Sequence, residues 1–265
     1  MTLHVDEIGG TGASLLFIHG WGMHGGMWGG VLERLAQQHR VLAVDLPGHG
    51  FSGKGDAGGS PFTLDRVVAA LAERFAGEAP LTVCGWSLGG QVALRWAVRH
   101  PDQISRLVLV SSTPCFVQQD GWDCAMAPAT LEAFAAALQQ NYLQTLRRFL
   151  SLQLRGSEQE RELLAVLRTS LLARGEPDLA ALQAGLDILR DSDQRATLSA
   201  VCQPTLVLAG VRDTLTPLPA SEYLAERMPQ ARLAAIAGAA HAPFLSHPEA
   251  FVACLLDFLQ ECDHE

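Results

Sequence analysis

Six short runs of apolar, β-favouring residues punctuate the chain, at positions 15–18, 41–44, 81–84, 107–110, 205–209 and 232–236. Between most of them lie longer stretches whose apolar residues recur at three- and four-residue spacing, at 64–75, 88–98, 219–227 and 248–259. Strands that are apolar without alternation must be covered on both faces. Strands separated by helices pair in parallel, because each crossover returns the chain to the same edge. The expected class is therefore α/β, a mostly parallel central sheet flanked by helices, with ligands bound at the carboxyl ends of the strands. One interval breaks the alternation. From 110 to 205 there is no convincing strand, but helical spacing runs over 130–140, 145–153, 158–172 and 178–189, with loops at 120–128 and 175–177. This reads as a helical cap inserted into one domain. Residues 1–112 and 196–265 would form the core, and 113–195 the cap.

The residues that carry chemistry fall at the expected strand ends. Gly85-Trp86-Ser87-Leu88-Gly89 follows the run 81–84 and opens the helix over 88–98. A G-x-S-x-G between a strand and a helix is a nucleophile elbow: small neighbours let the serine occupy a sharp turn and project its hydroxyl. The helix behind it aims amide N–H groups and a positive dipole end at developing negative charge. Two amides are needed for an oxyanion. Leu88, next after the serine, supplies one, and Trp21 in the loop His19-Gly20-Trp21-Gly22 supplies the other. His19, at the strand end, is read as structural.

The base must be a late histidine. His4, His39, His100 and His264 lie in polar or terminal positions, and His49 shapes a turn in Asp45-Leu46-Pro47-Gly48-His49-Gly50. His241 follows the strand 232–236 and three small residues, whereas His247 adjoins Pro248 and helps start the last helix. His241 is the expected base. Asp213, in the loop after the run 205–209, is the expected acid, orienting the imidazole and stabilising its charged form. Asp45 precedes the serine and has the wrong order; Asp187, Asp191 and Asp193 read as solvated charges. The order Ser87, Asp213, His241 is that of the α/β-hydrolases, and the chemistry it supports is two-step acyl transfer through a seryl ester.

Composition narrows the partners. With 19 basic and 28 acidic residues the net charge is −9, which argues against binding nucleic-acid phosphates. The first 20 residues hold no Lys or Arg, and no apolar run approaches the roughly 18–20 residues that cross a bilayer. Six cysteines lie far apart, with no C-x-x-C pair. The expectation is a cytoplasmic, reduced, monomeric protein, away from membrane and nucleic acid, with no cofactor and no metal.

Four stretches together carry a more specific likeness: Gly85-Trp86-Ser87-Leu88-Gly89-Gly90, Ser111-Ser112-Thr113-Pro114-Cys115-Phe116, Gly185-Leu186-Asp187-Ile188-Leu189, and Ala240-His241-Ala242-Pro243-Phe244-Leu245-Ser246-His247-Pro248. In these the chain resembles, along essentially its whole length, the pimeloyl-[acyl-carrier protein] methyl ester esterases, the carboxylesterases of biotin synthesis. The resemblance implies that catalysis falls on Ser87, Asp213 and His241. It also implies substrate contacts at Trp21, Ser87, Leu88 and His241 and at the cap segment Phe149, Leu150, Ser151, Leu152 and Gln153. It further implies an acyl-carrier protein as partner, delivering the chain that bears the methyl ester.

The spacing of Leu143, Leu146, Phe149 and Leu152 gives one apolar helix face, whose residues serve packing of cap on core; Phe149 fits that role or an acyl-chain wall equally. Between Ala133 and Ser157 stand Arg147, Arg148 and Arg155 and no acid, and Arg161 extends the patch. A carrier protein of this kind is acidic, so these four arginines are the expected docking face, against the alternative of a solvated helix surface. Two other readings stay open. One is a broad short-chain carboxylesterase without a carrier partner; the other is a hydrolase-fold ligand receptor that senses more than it turns over.

Overall fold

The computed structural model describes residues 2–53, 62–155, 157 and 160–261. Cys262 and His264 lie outside these residues, as do Glu158 and Gln159 of the helix expected over 158–172. In chain order the core opens with β1 (Val5–Gly9), β2 (Ser14–Ile18), α1 (Val31–Leu35), β3 (Arg40–Val44), α2 (Leu64–Arg74), β4 (Leu81–Trp86), α3 (Leu88–Arg99) and β5 (Ile104–Val110). Four helices follow: α4 (Pro128–Gln140), α5 (Tyr142–Leu154), α6 (Glu160–Ser170) and α7 (Leu179–Asp191). The core resumes with β6 (Thr205–Gly210), α8 (Leu218–Arg227), β7 (Ala231–Ile236), α9 (Pro243–Ser246) and α10 (Pro248–Glu261). Side-chain caps set several starts: Thr63, Asn141 and Asp178 each accept from an amide in the first turn of α2, α5 and α7.

The seven strands form one sheet in the order β1-β3-β2-β4-β5-β6-β7, parallel except for β1. Strand side chains alternate between faces, and the core divides accordingly. Leu15, Phe17, Val41, Ala43, Cys84, Trp86, Val108 and Val110 pack on one face. Leu16, Ile18, Leu42, Val44, Val83, Leu107 and Leu109 pack on the other. All six expected strands are present. The seventh, β1, was not expected: Asp6 and Glu7 interrupt its apolar pattern, as suits an edge strand open on one side.

The helical stretch between β5 and β6 is fastened to the core by polar contacts. Arg174, after α6, places its guanidinium between the fully buried Asp45 carboxylate, 3.2 Å away, and Asp6. Asp45 in turn accepts from the amides of Gly25 (2.6 Å) and Phe51 (2.8 Å), so one carboxylate organises two core loops and the crossing arginine. The Asp178 amide donates to the Gly48 carbonyl at 2.8 Å. His24 Nδ1 accepts from the Gly26 amide, which leaves Nε2–H to donate to the Ser170 carbonyl at the end of α6.

Three imidazoles in this region are held neutral. Burial pushes His19 well below the ordinary histidine range and lowers His24 and His49. His19 Nε2 accepts from the Leu46 amide and its Nδ1–H donates to the Gly20 carbonyl, a pattern only the neutral ring satisfies. Unfolded histidines take up a proton near pH 6.5; these three do so only at lower pH while folded. The unfolded state therefore binds more protons as pH falls through about 6.5, and stability declines in that direction. Urea denaturation should show the midpoint falling between pH 7 and pH 5, above the range where carboxylates titrate, with a shallower slope in a His49→Gln variant.

Candidate active site

β4 hands over to α3 across a single residue. Ser87 has φ 55° and ψ −117°, a left-handed conformation that costs a non-glycine residue on the order of 1–3 kcal/mol. Close packing holds it there. A Cβ on Gly85 would lie 2.3 Å from the Gly89 carbonyl oxygen, and one on Gly89 would lie 2.3 Å from that of Ile18. Only glycine allows the start of α3 to rest on the end of β2. The Ser87 amide donates to the Val110 carbonyl at 2.9 Å, and its carbonyl accepts from the Ser112 hydroxyl at 2.9 Å. Leu88 is the first residue of α3, so its amide is one of those without a partner inside the helix.

At the carboxyl ends of β6 and β7, Asp213 and His241 meet. Asp213 Oδ1 accepts from the amides of Leu215 (2.8 Å) and Thr216 (3.0 Å), and Oδ2 accepts from Thr216 Oγ1 and His241 Nδ1, both at 2.8 Å. Both side chains are buried. Four accepted hydrogen bonds match a carboxylate, which has no proton to give. Nδ1 of His241 therefore carries the ring proton, and Nε2 keeps its lone pair. Nε2 is buried and, among the described residues, has no hydrogen-bond partner. Thr216 was not anticipated from the sequence. The signal was present as Asp-x-x-Thr, the spacing at which an aspartate folds a following turn back onto itself.

His241 is held along its backbone as well. Its carbonyl accepts from Trp86 Nε1 at 2.8 Å, and its amide donates to the Gln153 carbonyl in the last turn of α5 at 3.0 Å.

The loop after β2 lies against the serine: a Cβ on Gly20 would sit 3.3 Å from Ser87 Cβ. Trp21 follows, buried, with its indole N–H donating to the Leu182 carbonyl of α7 at 2.9 Å. Its ring meets Phe134 and Phe149 edge-on at 5.3 and 5.0 Å.

Above these loops is a cavity of about 490 Å³. Trp21 and Leu215 contribute to its wall from the core; α4 and α5 contribute Phe134, Thr145, Phe149 and Leu152, and among the described residues Arg148 is the one charged residue in a lining otherwise made of apolar residues, Thr130 and Thr145. Of the cap segment singled out in the sequence, Phe149 and Leu152 line this space. Leu150 is fully buried, Gln153 is buried and supplies the carbonyl to His241, and the Ser151 hydroxyl turns back to the Arg147 carbonyl. Arg147, Arg148, Arg155 and Arg161 are exposed. Among the described residues no group of three or more His, Cys, Asp or Glu gathers as a metal site.

Comparison with known proteins bears on the fold and the family. Residues 13–248 match the model of the α/β hydrolase fold family. An esterase from Exiguobacterium antarcticum shares the fold with a TM-score of 0.88 over 97% of this chain and 95% of its own, at 24% identity. A pimeloyl-[acyl-carrier protein] methyl ester esterase from Nitrosomonas europaea is 46% identical over 253 residues, 96% of this chain and 98% of the relative. One from Chromobacterium violaceum is 41% identical over 98% of this chain and 99% of its own. The chain belongs to the α/β-hydrolase family and, within it, to the pimeloyl-[acyl-carrier protein] methyl ester esterases.

Proposed function

We propose that this protein hydrolyses the methyl ester of pimeloyl-[acyl-carrier protein], releasing methanol and the carrier-bound acid, with Ser87 as nucleophile, His241 as general base and Asp213 as its partner. The observation that carries the reading is the buried His241 ring: Nδ1–H is committed to Asp213 at 2.8 Å, Nε2 is left without a hydrogen-bond partner among the described residues, and the His241 carbonyl is held at 2.8 Å by the indole of Trp86, the residue before the strained Ser87. Nε2 takes the Ser87 proton as Oγ bonds to the ester carbonyl carbon. The amides of Trp21 and Leu88 stabilise the oxyanion. His241 then gives the proton to the departing methoxide, which leaves as methanol. Water, deprotonated by the same Nε2, cleaves the seryl ester, and Ser87 regains its proton.

Residues 113–195 act as a cap on a core of 1–112 and 196–265. The acyl chain lies along Phe149 and Leu152 in the apolar cavity, with Leu150, Ser151 and Gln153 shaping the segment behind them. The carrier, an acidic partner, docks on Arg147, Arg148, Arg155 and Arg161. These stand exposed, and among the described residues none of them pairs with a carboxylate. The protein works in the cytoplasm as a monomer; among the described residues no helix is long and apolar enough to cross a membrane.

Expression in a biotin-requiring strain that lacks its esterase tests the reading. Growth without biotin is expected from the wild type and not from Ser87→Ala; no rescue alongside strong activity on soluble esters would point to a broad carboxylesterase, and a single turnover with retained product to a receptor. In purified protein, Asp213→Asn should lower kcat by roughly 10⁴-fold, because the amide donates where the carboxylate accepts and selects the wrong ring tautomer. Reversing Arg147 and Arg155 to Glu should cut turnover of the carrier-bound ester about tenfold or more at low salt while leaving small methyl esters within about twofold. Equal losses on both substrates would remove the docking assignment.

A further inference from the structure

Gly185 lies in the interior of α7, where a glycine costs roughly 1 kcal/mol of helix propensity relative to alanine. Two side chains account for it. A Cβ at Gly185 would lie 2.7 Å from Trp21 Cδ1 and 3.6 Å from Leu88 Cδ2. Trp21 and Leu88 are the two residues whose amides serve as oxyanion donors in the proposed reaction, and their side chains converge on one point of the inserted helix. The grip on Trp21 extends along the same helix. Its indole N–H donates to the Leu182 carbonyl, one turn before Gly185. The next loop residue, Gly22, comes equally close: with φ at +70°, a Cβ there would lie 2.8 Å from Leu146 Cδ2 and 3.5 Å from Leu182 Cδ2. The loop that bears the Trp21 amide is thus seated under α5 and α7 through contacts that leave no room for another atom. Its other end, Gly20, rests on Ser87.

We propose that Gly185 and the Trp21 indole are positioning residues, through which α7 sets the distance of the Trp21 amide from the reacting carbonyl. The inference rests on the assignment of Ser87 as nucleophile. It gives the insertion a second role beyond walling the cavity: seated on the core, it completes the oxyanion site, and displaced from it, it leaves one donor out of place. Removing one oxyanion donor outright costs about 10²–10³ in kcat, so a displaced donor should cost about 10–100-fold.

The experiment uses Gly185→Ala and Trp21→Phe with a small methyl ester, and an aliphatic trifluoromethyl ketone that adds reversibly to the serine as a tetrahedral mimic. Ala at 185 pushes on Trp21 from the cap side without touching Ser87 or His241, and Phe at 21 removes the N–H given to Leu182. In both variants kcat should fall about tenfold or more with KM within about threefold. The ketone should weaken by the same factor as kcat/KM, since it shares the oxyanion. Circular dichroism melts identify a variant that fails to fold, in which case the other carries the test. A loss confined to KM, or ketone affinity unchanged in a folded variant, would overturn the proposal and leave Trp21 as cavity wall alone. Activity retained by Ser87→Ala would instead remove the nucleophile assignment on which it rests.

Discussion

The constraint on which the rest of the structure depends is the turn at Ser87, where a buried central strand becomes a buried helix within one residue. The backbone conformation there is unfavourable for any side chain, and nothing local relieves it. It persists because the neighbouring backbones have no other place to go: α3 rests on the end of β2 through Gly89, and the Ser87 peptide is bonded to β5 through Val110 and to Ser112 beyond it. β2 and β5 are themselves inner strands of a sheet apolar on both faces. A rigid sheet therefore supplies the energy that holds Ser87, the proposed nucleophile, in that conformation, a division seen wherever strain is stored at functional positions.

From that turn the remaining parts follow by adjacency in the sheet. β4 lies between β2 and β5, and β6 and β7 come next. The loops leaving β2, β6 and β7 at the same edge carry Trp21, Asp213 and His241. The insertion leaves after β5 and returns at β6, so it covers those loops without disturbing a strand pair. It touches them by named contacts: Leu182 to the Trp21 indole, and Gln153 to the His241 amide. Away from the site, Arg174 clasps Asp45 and Asp6, and His24 holds Ser170. An arginine paired with a fully buried carboxylate carries little net stability of its own, but its removal would leave a buried charge without compensation. The pair specifies where the insertion sits.

Much of this is legible from residue order. Continuous apolar runs located six strands because a strand buried on both faces has no reason to alternate, and Gly-x-Ser-x-Gly marked the turn because its physical demand is for missing Cβ atoms. The candidate site was legible at Ser87, Asp213 and His241 because each stands in the turn or loop that leaves the carboxyl end of a strand. β1 escaped because its edge position tolerates Asp6 and Glu7. Asp45 was set aside as out of order for the acid. The structure gives it a different role, organising two loops and meeting Arg174, a contact 129 residues distant in the chain. The role of Gly185 was equally hidden. A stretch such as Gly185-Leu186-Asp187-Ile188-Leu189 identifies a family, but the reason for its glycine appears only when Trp21, 164 positions earlier in number, is seen against it.

The central claim is that one serine, activated by one histidine, does the chemistry in this site. Stoichiometric labelling with a small organophosphate measures this directly, because phosphorylation requires the same proton transfer and attack. One label per chain is expected, located by peptide mass spectrometry at Ser87, with labelling slowed by several orders of magnitude in His241→Ala. A label on another residue, or an unchanged rate in the His241 variant, would contradict the account.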